Sequence, residues 1–265
     1  MTTKEANMEY IKKEIKEFLD SDFELDETHF GHVATKEENI KVKLLYKPDW
    51  NSWIDAMYYT AFSTWSNGYE VDLEKKIVGK REFTLNILRK RPISACFESA
   101  VFVIKIDNVS RAMTHQIVRA RKMAFNQQSF RVSPAHHSDF RIPNGLNDDT
   151  IKKIENKVDN DRKLYLELIN QGVPIEMSRN VLGMGTCTNI VMTTNLSALK
   201  QYINDRTLDI AQDEHSYIVY KICKELEAKA PEFYNNFIKS EKLDNVLKNY
   251  DVKSGDWFYI EVKLL

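Results

Sequence analysis

The chain has 265 residues, 38 Lys+Arg against 39 Asp+Glu, and is 43% hydrophobic. A net charge of −1 excludes a general attraction to nucleic acid polymers or to anionic membranes, so any anion site must be a local cluster serving a small ligand. No window approaches the ~20 apolar residues of a bilayer span, the opening has no signal-peptide core, and 3 isolated cysteines offer neither a disulfide framework nor zinc-ligand spacing. A cytoplasmic chain with buried thiols and no metal is expected.

Residues 4–20 read as a charged helix followed by the acidic patch DSDFELDE, together an N-terminal extension over 1–40. IKVKLLY, 40–46, alternates like a strand; 50–65 is too long, with aromatic residues at helical spacing, to be anything but a helix. A second amphipathic helix over about 73–91 ends at Pro92, after which the chain is expected to extend. SAVFVIKID is a half-buried strand by alternation and β-branching, and Asn108 or Ser110 can cap the helix after it. Residues 148–172 form a long helix opened by acidic residues and stopped by Gly172. Another begins at 174 with proline in its first turn. A strand at 187–194, helices at 195–208 and 213–231, and a last strand at 256–265 complete the chain. The expected class is α+β: a single domain of mixed helices and a central sheet over 41–240, followed by a tail, 241–265.

The stretch HQIVRARKMAFNQQSFRVS, 115–133, is the most informative. On a helical wheel Met113, Ile117 and Ala120 share an apolar stripe, and Arg111, His115, Gln116 and Arg119 lie on the other side. Arg119 and Arg121 then point nearly oppositely. A helix end near Arg121 would let the extended chain beyond bring Gln127, Gln128, Ser129 and Arg131 back past Arg119, as an anion pocket of guanidinium forks with neutral hydroxyl and amide partners. The same residues also suit a solvated basic face followed by a polar turn. In a later helix, Asn195, Leu199, Tyr202 and Arg206 fall at i, i+4, i+7 and i+11, so Asn195 and Arg206 share a face about 16 Å apart. That is too far for one small group. It suits a ligand at each end, unless Arg206 merely pairs with Asp209 or Glu214.

RARKMAFNQQSFR resembles the signature of the flavin-dependent thymidylate synthases, Arg-His-Arg, seven residues, Ser and then Arg two positions on: here Arg119-Ala120-Arg121, Ser129 and Arg131. FESAVFVIKIDNVSRAMTHQIVRAR, EMSRNVL and TTNLSALKQYINDRTLDIAQDE are similar to that family's flanking segments in register, so the resemblance spans roughly 41–238. It implies C5 methylation of a uracil nucleotide, most typically dUMP to dTMP, with FAD, NADPH and methylenetetrahydrofolate, by a homotetramer. By position it puts Gln116, Gln127, Gln128, Ser129, Arg131, Arg179 and Arg206 at the pyrimidine nucleotide, and Arg119, Arg121, Asn195 and Gln201 at the flavin. Arg119, Arg121 and Arg206 would be the catalytic set. Ser129 is then a hydrogen-bond partner of substrate, and no adjacent His/Asp pairing makes it a nucleophile.

The chain departs from that pattern where imidazoles belong. Ala120 stands between the arginines, Ser99 follows Phe97-Glu98, Ile93 replaces an earlier histidine, and Val132 replaces a tyrosine. Ala, Ser and Ile cannot supply imidazole's donor or proton-moving capacity near neutral pH. His136 and His137 either substitute or are solvated, and His115 supports its helix. The departures leave two alternatives open: a paralogue acting on another pyrimidine nucleotide such as UMP, or a flavin- and nucleotide-binding protein without turnover.

Overall fold

The computed structural model describes residues 31, 33–34, 39–63, 81–91, 93–143, 145–207, 212–241 and 243–245. The helix expected over 4–20, the beginning of the second helix and the strand expected over 256–265 lie outside them. In chain order the described elements are β1 (Val33–Ala34), β2 (Lys41–Tyr46), α1 (Trp50–Ser63), α2 (Arg81–Lys90), α3 (Ser94–Ser99), β3 (Val101–Ser110), α4 (Arg111–Ile117) and β4 (Met123–Gln127). They continue with β5 (Phe140–Arg141), α5 (Asp148–Asn170), α6 (Ile175–Ser178), a 3-10 turn (Arg179–Val181), β6 (Cys187–Asn195), α7 (Leu196–Arg206), α8 (Asp213–Lys229), α9 (Pro231–Phe233) and a π turn (Tyr234–Ile238). The class is α+β, as expected.

Two compact units are built from these elements. The larger takes in Lys36–Gln127, Pro143–Gly145 and the chain from Thr188 onward. Its sheet has the order β2-β3-β6-β4, with β2 antiparallel to β3 and β4 antiparallel to β6. Alternation along β3 sends Phe102, Ile104 and Ile106 inward against Ile218, Val219, Ile222 and Leu226 of α8 and Leu199 and Ile203 of α7, all buried. Trp50 and Trp53 pack at 5.0 Å and 5.1 Å on Phe233, so the aromatic spacing that marks α1 as a helix is also its core face. Each such side chain contributes about 1.5–3 kcal/mol by leaving water.

Two local expectations are corrected. Residues after Pro92 do not extend at once: 94–99 form α3, which buries Cys96 and Phe97. α4 ends at Ile117 rather than near Arg121. Arg119 and Ala120 bond back to Gln116 and Ile117 as i→i−3 turns, and Lys122 takes a left-handed φ of 62° before β4 joins β6. Pairing with β6 overrides the helical pattern because the ladder satisfies backbone groups that a further turn would otherwise hold.

Ser110, one of the two expected caps, is the N-cap of α4: its Oγ accepts from Met113 N at 3.0 Å. The buried Glu214 carboxylate accepts in turn from Ser110 N at 2.7 Å and Ser110 Oγ at 2.5 Å, tying the start of α8 to the start of α4. Ser110→Ala removes the cap and one buried bond, with an expected loss of about 1–2 kcal/mol in urea unfolding at neutral pH. An unchanged midpoint would remove Ser110 from that role.

The smaller unit holds Gln128–Ile142 and Leu146–Cys187 with the described residues before Thr35. Asn147 caps α5, accepting from Thr150 N at 2.9 Å, and Gly172 follows its end at φ 84°. The buried Arg162 donates to the carbonyls of Gly31 at 2.6 Å and Ser138 at 2.7 Å. Gly31 is obligatory there, since a Cβ would meet Ser138 O at 2.2 Å.

Candidate active site

In the larger unit the turn leaving α4 and one face of α7 enclose a cavity of about 460 Å³. Arg119, Ala120, Arg121 and Lys122 line it from the turn, and Gln201, Tyr202, Asp205 and Arg206 from α7. Four cationic groups against one carboxylate make it an anion-attracting space by local charge, in a chain whose overall charge is near zero. Arg206 lines the space as a residue, while its Nε is itself buried and has no hydrogen-bond partner among the described residues. Glu214, one of the two expected partners of Arg206, is bonded to Ser110 instead, and Asp209, the other, lies outside the described residues.

The other flavin-side candidates have defined partners. Asn195 is the N-cap of α7, its Oδ1 accepting from Ala198 N at 2.9 Å, and Gln201 Nε2 donates to Asp205 Oδ1 at 2.6 Å on the cavity wall. Gln127, carried by β4, returns to α4 and donates to Thr114 Oγ1 at 3.0 Å; Gln116 donates to Gln212 Oε1 at 2.6 Å. The expected return of the chain is past Arg119; Gln127 bonds Thr114 in the middle of α4 instead.

Gln128, Ser129, Arg131 and Arg179 belong to the smaller unit, where they form a second cluster. Arg131 holds Glu176 Oε2 through Nε at 2.9 Å and Nη2 at 2.7 Å, and Arg179 Nε donates to the Glu176 backbone carbonyl at 3.2 Å. Ser129 Oγ accepts from Arg131 N at 3.3 Å, and Gln128 Nε2 donates to Ser133 Oγ at 3.2 Å. Glu176 was not marked by the motif, although an acidic residue i−3 to Arg179 is a readable helical pair.

Behind the cavity, Tyr202 Oη lies 2.6 Å from Nε2 of the fully buried His215. Burial, and then the charge of Arg206, push the His215 imidazole down to about 3. Burial raises the Tyr202 phenol, an effect that Arg206 opposes. His215 Nδ1 has no partner among the described residues, and the direction of the bond to Tyr202 Oη follows the imidazole tautomer. Neither residue was singled out for chemistry by sequence.

The positions of the lost imidazoles are now concrete. Ala120 leaves cavity space between the two arginines. Ser99 Oγ donates to Cys96 O at 2.7 Å and accepts from Trp53 Nε1 at 3.0 Å, which makes it a clasp between α1 and α3. His136 is buried in the smaller unit with its ring centroid 3.8 Å from that of the half-buried His137, so His136 is packed rather than solvated. His115 is exposed on α4. All three cysteines are buried free thiols, and burial pushes Cys223 up to about 12.

An α+β unit with an arginine-lined cavity between a signature turn and a capped helix defines the class, and comparison gives the family. Residues 49–232 match the model of the thymidylate synthase complementing protein family, and the chain belongs to that family. It is 28% identical over 172 residues to the flavin-dependent thymidylate synthase of Saccharolobus solfataricus, covering 59% of this chain and 66% of that one. With the same enzyme from Pyrococcus furiosus it shares 33% identity over 135 residues, 49% of this chain and 55% of that one. The chain thus spans just under two thirds or less of these relatives. The crystal structure of the UMP/dUMP methylase PolB from Streptomyces cacaoi, bound with 5-Br dUMP, superposes with a TM-score of 0.62 at 17% identity, over 78% of this chain and 96% of that one. That likeness establishes a shared fold.

Proposed function

We propose that the protein is a flavin-dependent methylase of a uracil nucleotide, converting dUMP to dTMP with FAD, methylenetetrahydrofolate and NADPH, as a cytoplasmic homotetramer. The observation that carries this reading is the cavity, where Arg119, Arg121, Lys122 and Arg206 line one space against the single carboxylate of Asp205. Its volume lies within the roughly 300–1,000 Å³ of small-molecule and cofactor sites, and its cationic donors fit an acceptor-rich ring and phosphates. Flavin, when bound, supplies the hydride that completes the methyl group; the chain supplies position and charge.

In this scheme the Arg206 guanidinium holds an anionic or acceptor group inside the cavity. Arg119 and Arg121 hold negative charge against the turn, and the Asn195 cap keeps the start of α7 in place. Arg131 and Arg179 serve the nucleotide phosphate, with Glu176 as the anion that holds the Arg131 fork in position beforehand. Gln116, Gln127, Gln128 and Ser129 supply neutral hydrogen bonds that orient the base and sugar. Purified protein is expected to be yellow, and its flavin spectrum to respond to dUMP; a protein that takes up neither FAD nor dUMP would overturn the reading.

A second reading, action on UMP, has two observations in its favour: the small Ala120 lines the cavity where the family carries imidazole, and the structural neighbour is a UMP/dUMP methylase. Ala120→His separates the two. On the first reading methyl transfer to dUMP rises about tenfold, or about 1.4 kcal/mol of barrier. On the second, the ring hinders UMP and creates no dUMP turnover. Methyl transfer to both nucleotides, measured side by side at matched FAD content, decides between them.

A further inference from the structure

Lys122 lines the cavity, yet the signature shared with the family contains no residue type for that position. Its backbone is left-handed, φ 62°, a conformation that disfavours any side chain bearing a Cβ and that glycine adopts freely. The turn from α4 to β4 therefore needs the geometry but not the lysine. Among the described residues nothing repays the strain: Lys122 Nζ meets only Glu98 Oε1 there, at 3.0 Å, with the two side chains 64% and 44% exposed, and an exposed pair of this kind contributes little. Strain kept without structural return is a mark of a functional position.

The remaining question is what the ammonium serves. No histidine lines the cavity among the described residues, so its donors are the guanidinium groups, the Gln201 amide, hydroxyls and this ammonium. Arg206 lines the cavity from α7 and is half-buried, whereas Lys122 and Arg121 are exposed on the turn. A compact ammonium at a solvated rim suits phosphate oxygens, which stay partly hydrated, better than it suits a ring edge. Glu98 holds the ammonium through a weak pair that a phosphate dianion can share or replace.

We propose that Lys122 is a binding residue for the pyrophosphate of FAD, a role that rests on the flavin reading above. The test titrates apoprotein with FAD and, separately, with riboflavin, following flavin fluorescence, for wild type, Lys122→Gly and Lys122→Arg. Lys122→Gly is expected to weaken FAD binding about tenfold while relief of strain raises Tm by about 2–4 °C. Stability and affinity thus move in opposite directions, which a turn residue without a ligand cannot produce. Lys122→Arg keeps FAD affinity within about twofold, and riboflavin, which lacks phosphate, binds wild type and Lys122→Gly alike. Unchanged FAD affinity in Lys122→Gly, or an equal loss on riboflavin, overturns the assignment while leaving the flavin reading intact. Failure of wild type to bind FAD overturns both.

Discussion

Acidification from pH 6.5 towards 3 is expected to destabilise the protein by up to about 1.4 kcal/mol per pH unit, on the order of 4–5 kcal/mol in all. The cause is His215. Unfolded, its imidazole titrates near 6.5; folded, burial and the Arg206 charge hold it neutral down to about 3. In that window the unfolded chain binds one proton more than the folded chain, so stability is fully present above pH 6.5 and is lost as pH falls. Carboxylates add their own losses at the acid end, and a comparison variant separates the two. His215→Phe keeps the ring volume, leaves the Tyr202 hydroxyl without its partner at a cost of about 1–3 kcal/mol near neutral pH, and removes the imidazole contribution. Urea unfolding of both proteins at half-unit pH steps should give stabilities that converge as pH falls and then cross, the variant becoming the more stable. A constant difference from pH 7 to 4 would mean that His215 charges as readily in the folded state as in the unfolded one.

Arg206→Ala should weaken nucleotide binding by about 1.5–3 kcal/mol, roughly ten- to 150-fold, while barely altering the fold. The guanidinium lines the cavity with an unpartnered Nε, so no protein hydrogen bond at that atom is lost with it, and α7 keeps its Asn195 cap. Calorimetric titration with dUMP on FAD-loaded protein measures the loss; unchanged affinity in a folded variant would take Arg206 out of the site. The two predictions are coupled. Removing Arg206 withdraws the smaller of the two causes that depress His215, so the acid transition of Arg206→Ala should end at a higher pH than that of wild type. Effects of groups this close are not expected to add.

Much of the fold could be read from local pattern. Alternation in β3, the aromatic stripe of α1, Ser110 before α4 and Gly172 after α5 are each short-range signals, because a strand face, a helix face, a cap and a left-handed stop depend on neighbours within a few residues. The same holds for Arg119, Arg121 and Arg206, whose type and spacing marked them before any cavity was known. The end of α4 could not be read in this way. Its helical pattern runs on through Ala120, and only the β4 pairing with β6, some 70 residues further along, ends it at Ile117.

Residue type and spacing by themselves determined the α+β class, the family signature and the identity of the arginines, since these rest on periodicity and on side-chain chemistry that no packing can change. Tertiary structure alone decided which groups share a space. It put Lys122 and Ala120 beside Arg206, gave Arg131 and Arg179 to Glu176, and sank His215 against Tyr202. Burial, charge proximity and an unpartnered donor are properties of surroundings, and the surroundings of a side chain come from segments that are distant in sequence.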